Sequence, residues 1–270
     1  MVGPEQKHAT FRRLHQSGCF VIPNPWDAGS ARYLARLGFK ALATTSSGFA
    51  WSKGRADNGV SLAEALAHFE ELARSVEIPI NADFEGGFAI DPAEVGANVR
   101  RAVATGIAGI SIEDSTGVAA DPLFDFALAV DRVRAAHAAV QGSGVLLTAR
   151  SEGFLVGRPD LDETLRRLSA YAEAGAECLY APGIKSRDQI AAVVGTLAPR
   201  AVNVLVGGSH TTVAELAGLG VRRISVGGAL ARTAWTSFMA AAREIADQGT
   251  FHALAAAAPF AEVNRLFERG

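Results

Sequence analysis

Asp83 and Glu85 stand two apart in the run INADFEGG, and Glu113 and Asp114 close a second apolar run, GISIED. In an extended segment, residues two apart point to the same side, so Asp83 and Glu85 are expected to face one point. Glu113, from a neighbouring strand end, is expected to converge on it. Three carboxylates that close repel in a low dielectric unless a cation neutralises them. Oxygen donors suit a hard ion, and magnesium keeps several waters beside one or two direct carboxylates. The expected metal ligands are therefore Asp83, Glu85 and Glu113, and the expected cofactor is Mg2+ or Mn2+. Arg150, at the end of VLLTAR, offers a bidentate grip on a carboxylate. The Thr45–Ser47 turn in ALATTSSG offers hydroxyls and N–H groups to a carboxylate or enolate oxygen. Each feature also has a plainer reading. The acids suit helix caps or ion pairs with Arg150, Arg150 suits a salt bridge to Glu113 or Glu152, and Thr45–Ser47 suits a polar turn before Gly48. His210, in GGSH, reads more readily as a helix N-terminal residue than as a base. Gly207-Gly208 resembles a phosphate-binding turn only weakly.

These residues matter only if one architecture gathers them. Eight apolar runs, at 20–25, 41–46, 78–83, 109–114, 145–150, 178–183, 201–206 and 222–227, read as strands. Helical patterns separate them at 28–38, 62–76, 92–106, 126–140, 161–175, 186–197 and 211–220. The strand runs are continuous rather than alternating, as when both faces of a parallel sheet are buried. Gly38, Gly106, Gly175 and Gly220 close helices ahead of the next strand, where a left-handed cap favours glycine. The pattern predicts an α/β fold, a (β/α)8 TIM barrel, with an open doubly wound sheet as the alternative. In such a barrel chemistry sits at the C-terminal strand ends, where Asp83, Glu113, Arg150 and Asn203 fall. Residues 1–270 read as a single domain, with 229–270 as a C-terminal helical extension longer than one barrel needs. Its apolar surplus is expected to pack on a neighbouring subunit or on the outside of its own barrel.

A net charge of -2 forces no basic face, so nucleic acid is not an expected partner. Cys19 and Cys178 lie far apart and read as core residues, which fits a reducing, cytoplasmic setting. No apolar stretch reaches the roughly 18–20 residues of a membrane span. The first 18 residues lack a signal-peptide apolar region and read as a helix.

The segments ALATTSSGFA, KGRADNGVSL, INADFEGGF, GISIEDS, LLTARSEGF and YAEAGAECLYAPGI, in this order, resemble the isocitrate lyase/phosphoenolpyruvate mutase superfamily from about residue 10 to 240. The resemblance implies a Mg2+-dependent barrel acting on 2-oxo acids or their enol forms. It also implies a homotetramer or homodimer, tetramers of this kind exchanging a C-terminal helix between subunits. Carried across by position, Asp83 matches the direct metal ligand, and Glu85 stands where the superfamily usually has Asp. Glu113 and Asp57 match acids that hold metal-bound waters. Arg150 matches the substrate-gripping arginine, Thr45, Ser46 and Ser47 the turn that binds the 2-oxo acid, and Asn203 a position near the distal part of the substrate. Catalytic roles are thus expected for Arg150, Glu113 and Asp57.

The departures narrow the reading. Residues 115–125, STGVAADPLFD, lack the Lys-(Lys/Arg)-Cys-Gly-His pattern of isocitrate and methylisocitrate lyases, and Pro182 is followed by Gly183 where those lyases have Glu. The Asn loop and the His of phosphonopyruvate-forming mutases are not evident either. The expected function is a Mg2+-dependent lyase or decarboxylase of a small 2-oxo or 2-hydroxy acid. The alternatives are a phosphonomutase, a carboxyvinyl-carboxyphosphonate phosphorylmutase-like enzyme or a phosphonopyruvate hydrolase, and, in another class, a non-catalytic oxo-acid binder.

Overall fold

Each of the eight apolar runs contains a strand in the computed structural model, which describes residues 2–268. The strands are β1 Phe20–Ile22, β2 Leu42–Ala43, β3 Ile80–Asp83, β4 Gly109–Glu113, β5 Leu146–Arg150, β6 Cys178–Tyr180, β7 Ala201–Leu205 and β8 Arg223–Ser225. All neighbours pair in parallel, in the order β1-β8-β7-β6-β5-β4-β3-β2. The seam between β1 and β2 is bridged by the Ala43 N–H, which donates to the Pro23 carbonyl at 3.1 Å. Asn24 reinforces it: its Nδ2 donates to the Thr44 carbonyl at 2.9 Å, and its Oδ1 accepts the N–H groups of Val226 and Gly227, each at 2.9 Å. One side chain thus pins the ends of β1, β2 and β8 together, and the sheet is a (β/α)8 barrel.

The helices, in chain order, are α1 Pro4–Gln16, α2 Ala28–Arg36, α3 Ser46–Ser52, α4 Leu62–Ser75, α5 Pro92–Val103, α6 Phe126–Val140, α7 Leu161–Glu173, α8 Arg187–Leu197, α9 Val213–Gly218, α10 Ala229–Gln248 and α11 Phe260–Arg265. Helix α3 corrects the expected extent of the second strand. Thr45 is the N-cap, in extended conformation, and its hydroxyl accepts the Gly48 N–H at 3.3 Å, so helix begins where strand was expected to continue. Within the expected helical extension 229–270, the part after α10 is not one continuous helix. It consists of a 3-10 turn, His252–Ala256, and the short α11, divided at Pro259, which has no N–H to continue a ladder.

Helix α1 closes the N-terminal end of the barrel. Phe11 is fully buried there with Ile22, Ala41, Ala108, Leu146, Cys178 and Ala201. The ring leaves no room beside it: a Cβ on Gly109 would lie 2.4 Å from Phe11. Cys178 is buried and Cys19 half-buried. Among the described residues, no helix is long and apolar enough to cross a membrane. The extension behaves differently from the rest, since α10 buries only Ala231. Trp235, Phe238, Met239, Ile245, Phe251, Leu254 and Phe260 are exposed. Its far end returns to α2, where Arg36 donates to the carbonyl of Arg265 at 2.8 Å.

Candidate active site

Five strands contribute one inward-facing polar belt. In register, Glu113 pairs with Arg150, Arg150 with Tyr180, Tyr180 with Asn203, and Asn203 with Arg223. Asp83 ends the adjacent β3, with its N–H donating to the Thr44 hydroxyl at 2.8 Å. Its carboxylate is gripped from two sides. Oδ1 accepts from Arg150 Nη1 at 2.7 Å, and Oδ2 accepts the Ser46 N–H at 3.0 Å. The cap at Thr45 turns the chain so that this N–H points inward. The Thr45 hydroxyl also lies 3.1 Å from the Ser47 hydroxyl, and all three residues of the turn line the cavity. Thr45 therefore serves the helix cap as well as the cavity wall.

Arg150 sits among three carboxylates, at 2.7 Å from Asp83, 3.2 Å from Glu113 and 2.8 Å from Glu152. Asp57 lies on the exposed loop between α3 and α4 and also lines the cavity. Its carboxyl is pushed up by desolvation and by Asp83. Burial, then Asp83 and Asp57, push Glu85 up to about 8. Burial raises Glu113 well above the carboxylate range against the pull of Arg150, and Glu152 is raised for the same reason. Asp83, Glu113 and Glu152 thus crowd around one guanidinium, and the charges of Asp57 and Glu85 are felt from beyond them. Such a set is short of positive charge, which a hard divalent cation would supply. Asp83, at a strand end and lining the cavity, is the residue that could hold such a cation directly.

The expected joint ligation by Asp83, Glu85 and Glu113 does not take that simple form. Among the described residues, no three His, Cys, Asp or Glu side chains converge as a ligand group. The strand ends at Asp83, and Glu85 adopts a left-handed backbone with φ 48°, so the two-residue alternation stops before it reaches Glu85. Glu85 instead borders a neighbouring cleft with Asn58, Ser115 and Phe124. The turn is held by Arg132 from α6, buried, which donates to the carbonyls of Ala89 at 2.5 Å and Ile90 at 2.7 Å and also to that of Gly86. Asp114 faces away from the cavity and organises its rim. Its Oδ1 accepts the Glu152 N–H at 2.8 Å, and its Oδ2 accepts from Tyr171 at 2.7 Å and from Arg167 at 3.1 Å.

The cavity has a volume of about 170 Å3. Asp57, Asp83, Arg150 and the Thr45–Ser47 turn occupy one side. Tyr180, Asn203, Arg223 and Ser225 occupy the other, with Leu155 and Leu205. Asn203 lies where the strand pattern places it, and His210, Gly207 and Gly208 do not line the cavity. Tyr180, Arg223, Ser225 and Asn24 were not expected there. Tyr180 and Ser225 end β6 and β8, Arg223 begins β8 and Asn24 follows β1; their signal is a polar or aromatic residue inside an otherwise apolar run, before the point where that run was expected to end.

The family model for phosphoenolpyruvate phosphomutase matches residues 11–246. A Burkholderia cenocepacia crystal structure, described as a candidate lyase/mutase, superposes with a TM-score of 0.94 at 46% identity, covering 98% of this chain and 97% of that one. An uncharacterized protein of Mycobacterium tuberculosis is 32% identical over 248 residues, 88% of this chain and 89% of the relative. An oxaloacetate decarboxylase of Paraburkholderia xenovorans is 25% identical over 233 residues, 83% of this chain and 76% of the relative. Barrel topology, the acid-ringed cavity and the match over most of its length agree: the chain belongs to the phosphoenolpyruvate phosphomutase family, within the isocitrate lyase/phosphoenolpyruvate mutase superfamily of lyases and mutases.

Proposed function

We propose that the protein is a divalent-metal-dependent carbon–carbon lyase of a small 2-oxo acid, with oxaloacetate decarboxylation as the reaction best supported. The observation that carries this reading is the set of three carboxylates, Asp83, Glu113 and Glu152, around Arg150 at one end of a cavity of about 170 Å3 that Asp57 also lines. That volume is well below the roughly 300–1,000 Å3 of sites for drug-sized ligands, which favours a short acid. The likeness to an oxaloacetate decarboxylase supports the same substrate class.

Mg2+ or Mn2+ held at Asp83, when bound, supplies positive charge that polarises a 2-oxo group. Glu113 and Asp57, with Glu85 in the neighbouring cleft, would hold waters of such a metal. Arg150, whose Nη1 donates to Asp83, is the cavity-lining guanidinium that would grip a substrate carboxylate. Ser46 and Ser47 border the same end of the substrate. Asn203 and Tyr180 face its distal end, where the leaving carboxylate sits. Decarboxylation needs no base to start, which suits a loop 115–125 without Cys, His or Lys.

The second reading, phosphonomutase or phosphonopyruvate hydrolase activity, draws on the family model that matches. A phosphoryl group needs cationic partners, and Arg150 is already shared among three carboxylates. The reading also includes a homodimer or homotetramer, supported by the exposed aromatic face of α10. Purified protein with Mg2+, and separately with Mn2+, would be offered oxaloacetate, methylisocitrate and phosphonopyruvate while pyruvate release is followed. Turnover of oxaloacetate above the metal-only rate is the expected result. Silence on all three overturns the lyase and mutase readings together and leaves the oxo-acid binder.

A further inference from the structure

The far wall of the cavity carries a hydrogen-bond chain whose direction is fixed at its lower end. Arg223 is a buried guanidinium, and a guanidinium only donates. Its Nε–H donates to Asn203 Oδ1 at 2.9 Å, which sets the orientation of that amide. Asn203 Nδ2 then donates to the Ser225 hydroxyl oxygen at 2.9 Å. An amide nitrogen cannot accept, so the Ser225 proton is directed elsewhere, and Tyr180 lines the same wall of the cavity as Ser225. Asn203 and Ser225 each accept a hydrogen bond from the group before them, and Tyr180 is the residue of this wall that brings an acidic O–H to the cavity. His15, beneath the barrel, anchors the lower end, with Nε2 3.3 Å from Arg223 Nη1 and Nδ1 2.8 Å from the Phe11 carbonyl.

Tyr180 also stands in a useful place. Strand β6 lies four strands from β2 around the barrel, so Tyr180 faces the Thr45–Ser47 turn across the cavity. Its ring centre is 5.2 Å from the Arg150 guanidinium carbon. None of the described residues that line the cavity is His, Cys or Lys, and loop 115–125 contains none. A phenol is a far stronger acid than the serine and threonine alcohols that share the wall.

We infer that Tyr180 is the general acid of the reaction and delivers its phenolic proton to the substrate carbon that the leaving group departs. The inference rests on the lyase reading above. For oxaloacetate, the C3–C4 bond breaks, CO2 leaves, and the bond's electron pair becomes the C2–C3 enolate. The Tyr180 O–H bond then breaks, its proton forms the new C3–H bond of pyruvate, and the tyrosinate regains a proton from water. One solvent proton is consumed per turnover. Burial, opposed by the charge of Arg150, pushes the phenol up to about 12, so it holds its proton at neutral pH. An enolate carbon is basic enough to take it.

The test uses Tyr180→Phe in the full-length, Mg2+-loaded protein, beside wild type. Three quantities are read: oxaloacetate decarboxylation, exchange of the pyruvate C3 hydrogens in D2O by NMR, and calorimetric binding of oxalate, a planar dianion shaped like the enolate. The expected result is wild-type activity in both reactions, with exchange in Y180F lower by at least about a hundredfold and oxalate binding within threefold of wild type. Exchange in Y180F within threefold of wild type overturns the assignment. So does a parallel loss of oxalate binding, which marks a structural role, and so does a wild type that decarboxylates oxaloacetate without exchanging pyruvate. A wild type inactive in both reactions overturns the lyase reading itself, and the Tyr180 inference with it.

Discussion

Asp83 is held by Arg150 on one oxygen and by the Ser46 N–H on the other, and no carboxylate in the cavity is better fixed in direction. Asp83→Asn keeps its shape and removes its charge. The expected outcome is a loss of at least about a hundredfold in turnover, the size of one key transition-state electrostatic contact. Mn2+ binding, followed by electron paramagnetic resonance, should weaken in parallel, and full retention of both would sink the metal assignment. Asp83, Arg150 and Asn203 were legible in the sequence because a parallel barrel turns polar strand ends toward one face. Glu85 was only half legible. Its acid type was visible, but its left-handed backbone depends on the Arg132 clamp from α6, which no spacing rule reveals. Tyr180, Arg223 and Ser225 escaped because the runs 178–183 and 222–227 were read as strands to their ends, whereas β6 ends at Tyr180 and β8 at Ser225.

His15, 3.3 Å from Arg223 at the start of β8, ties the foot of this wall to pH. His15 is pushed down to about 3, first by burial and then by Arg223. It stands between the rings of Phe11 and Phe20, with centroids 4.6 and 5.1 Å away. The unfolded chain binds a proton on this ring near pH 6.5, and the folded chain does not until about 3. The stability it confers is therefore full above about pH 6.5 and is lost as pH falls toward 3. His15→Gln should flatten the acid limb of the urea-unfolding free energy by up to about 1.4 kcal/mol per pH unit, the slope of one proton. Equal slopes in the two proteins between pH 4 and 6 would contradict it.

At the level of elements, the barrel separates stability from chemistry along its axis. The C-terminal strand ends carry the acids, and the N-terminal end carries the apolar plug of α1 around Phe11. Phe11→Ala should cost about 3–5 kcal/mol, the usual range for a buried phenylalanine, and lower the melting temperature while leaving KM near wild type. A large rise in KM with unchanged melting would show that the plug reaches the site. The strands were readable because runs of apolar residues bounded by glycine-capped helices can hardly be anything else. Helix α3 was not. The residues ALATTS look like a strand through Ser46, and only the conformation of Thr45, with its hydroxyl turned to the Gly48 N–H, ends the strand at Ala43.

For the whole molecule, α10 is the element least explained by its own barrel. It leaves Trp235, Phe238 and Met239 exposed, with Trp235 and Phe238 stacked edge to face at 5.3 Å. Trp235 borders two surface clefts, one shared with Trp26 and Ser52, the other with Trp51, Gly54 and Arg55. Contiguous apolar surface of this kind on a globular chain marks an association site. The clefts adjoin the end of α3 and the start of the loop that carries Asp57, so a second copy of the chain seated there would brace that loop over the cavity. Light scattering should therefore find a dimer or tetramer. Phe238→Glu, which places a charge at the centre of the patch, should shift the distribution toward monomer. It touches no cavity residue, so any accompanying loss of turnover should follow the loss of assembly and recover as protein concentration rises. A wild type that remains monomeric at tens of micromolar, or a fully assembled F238E, would remove both the interface and its link to Asp57.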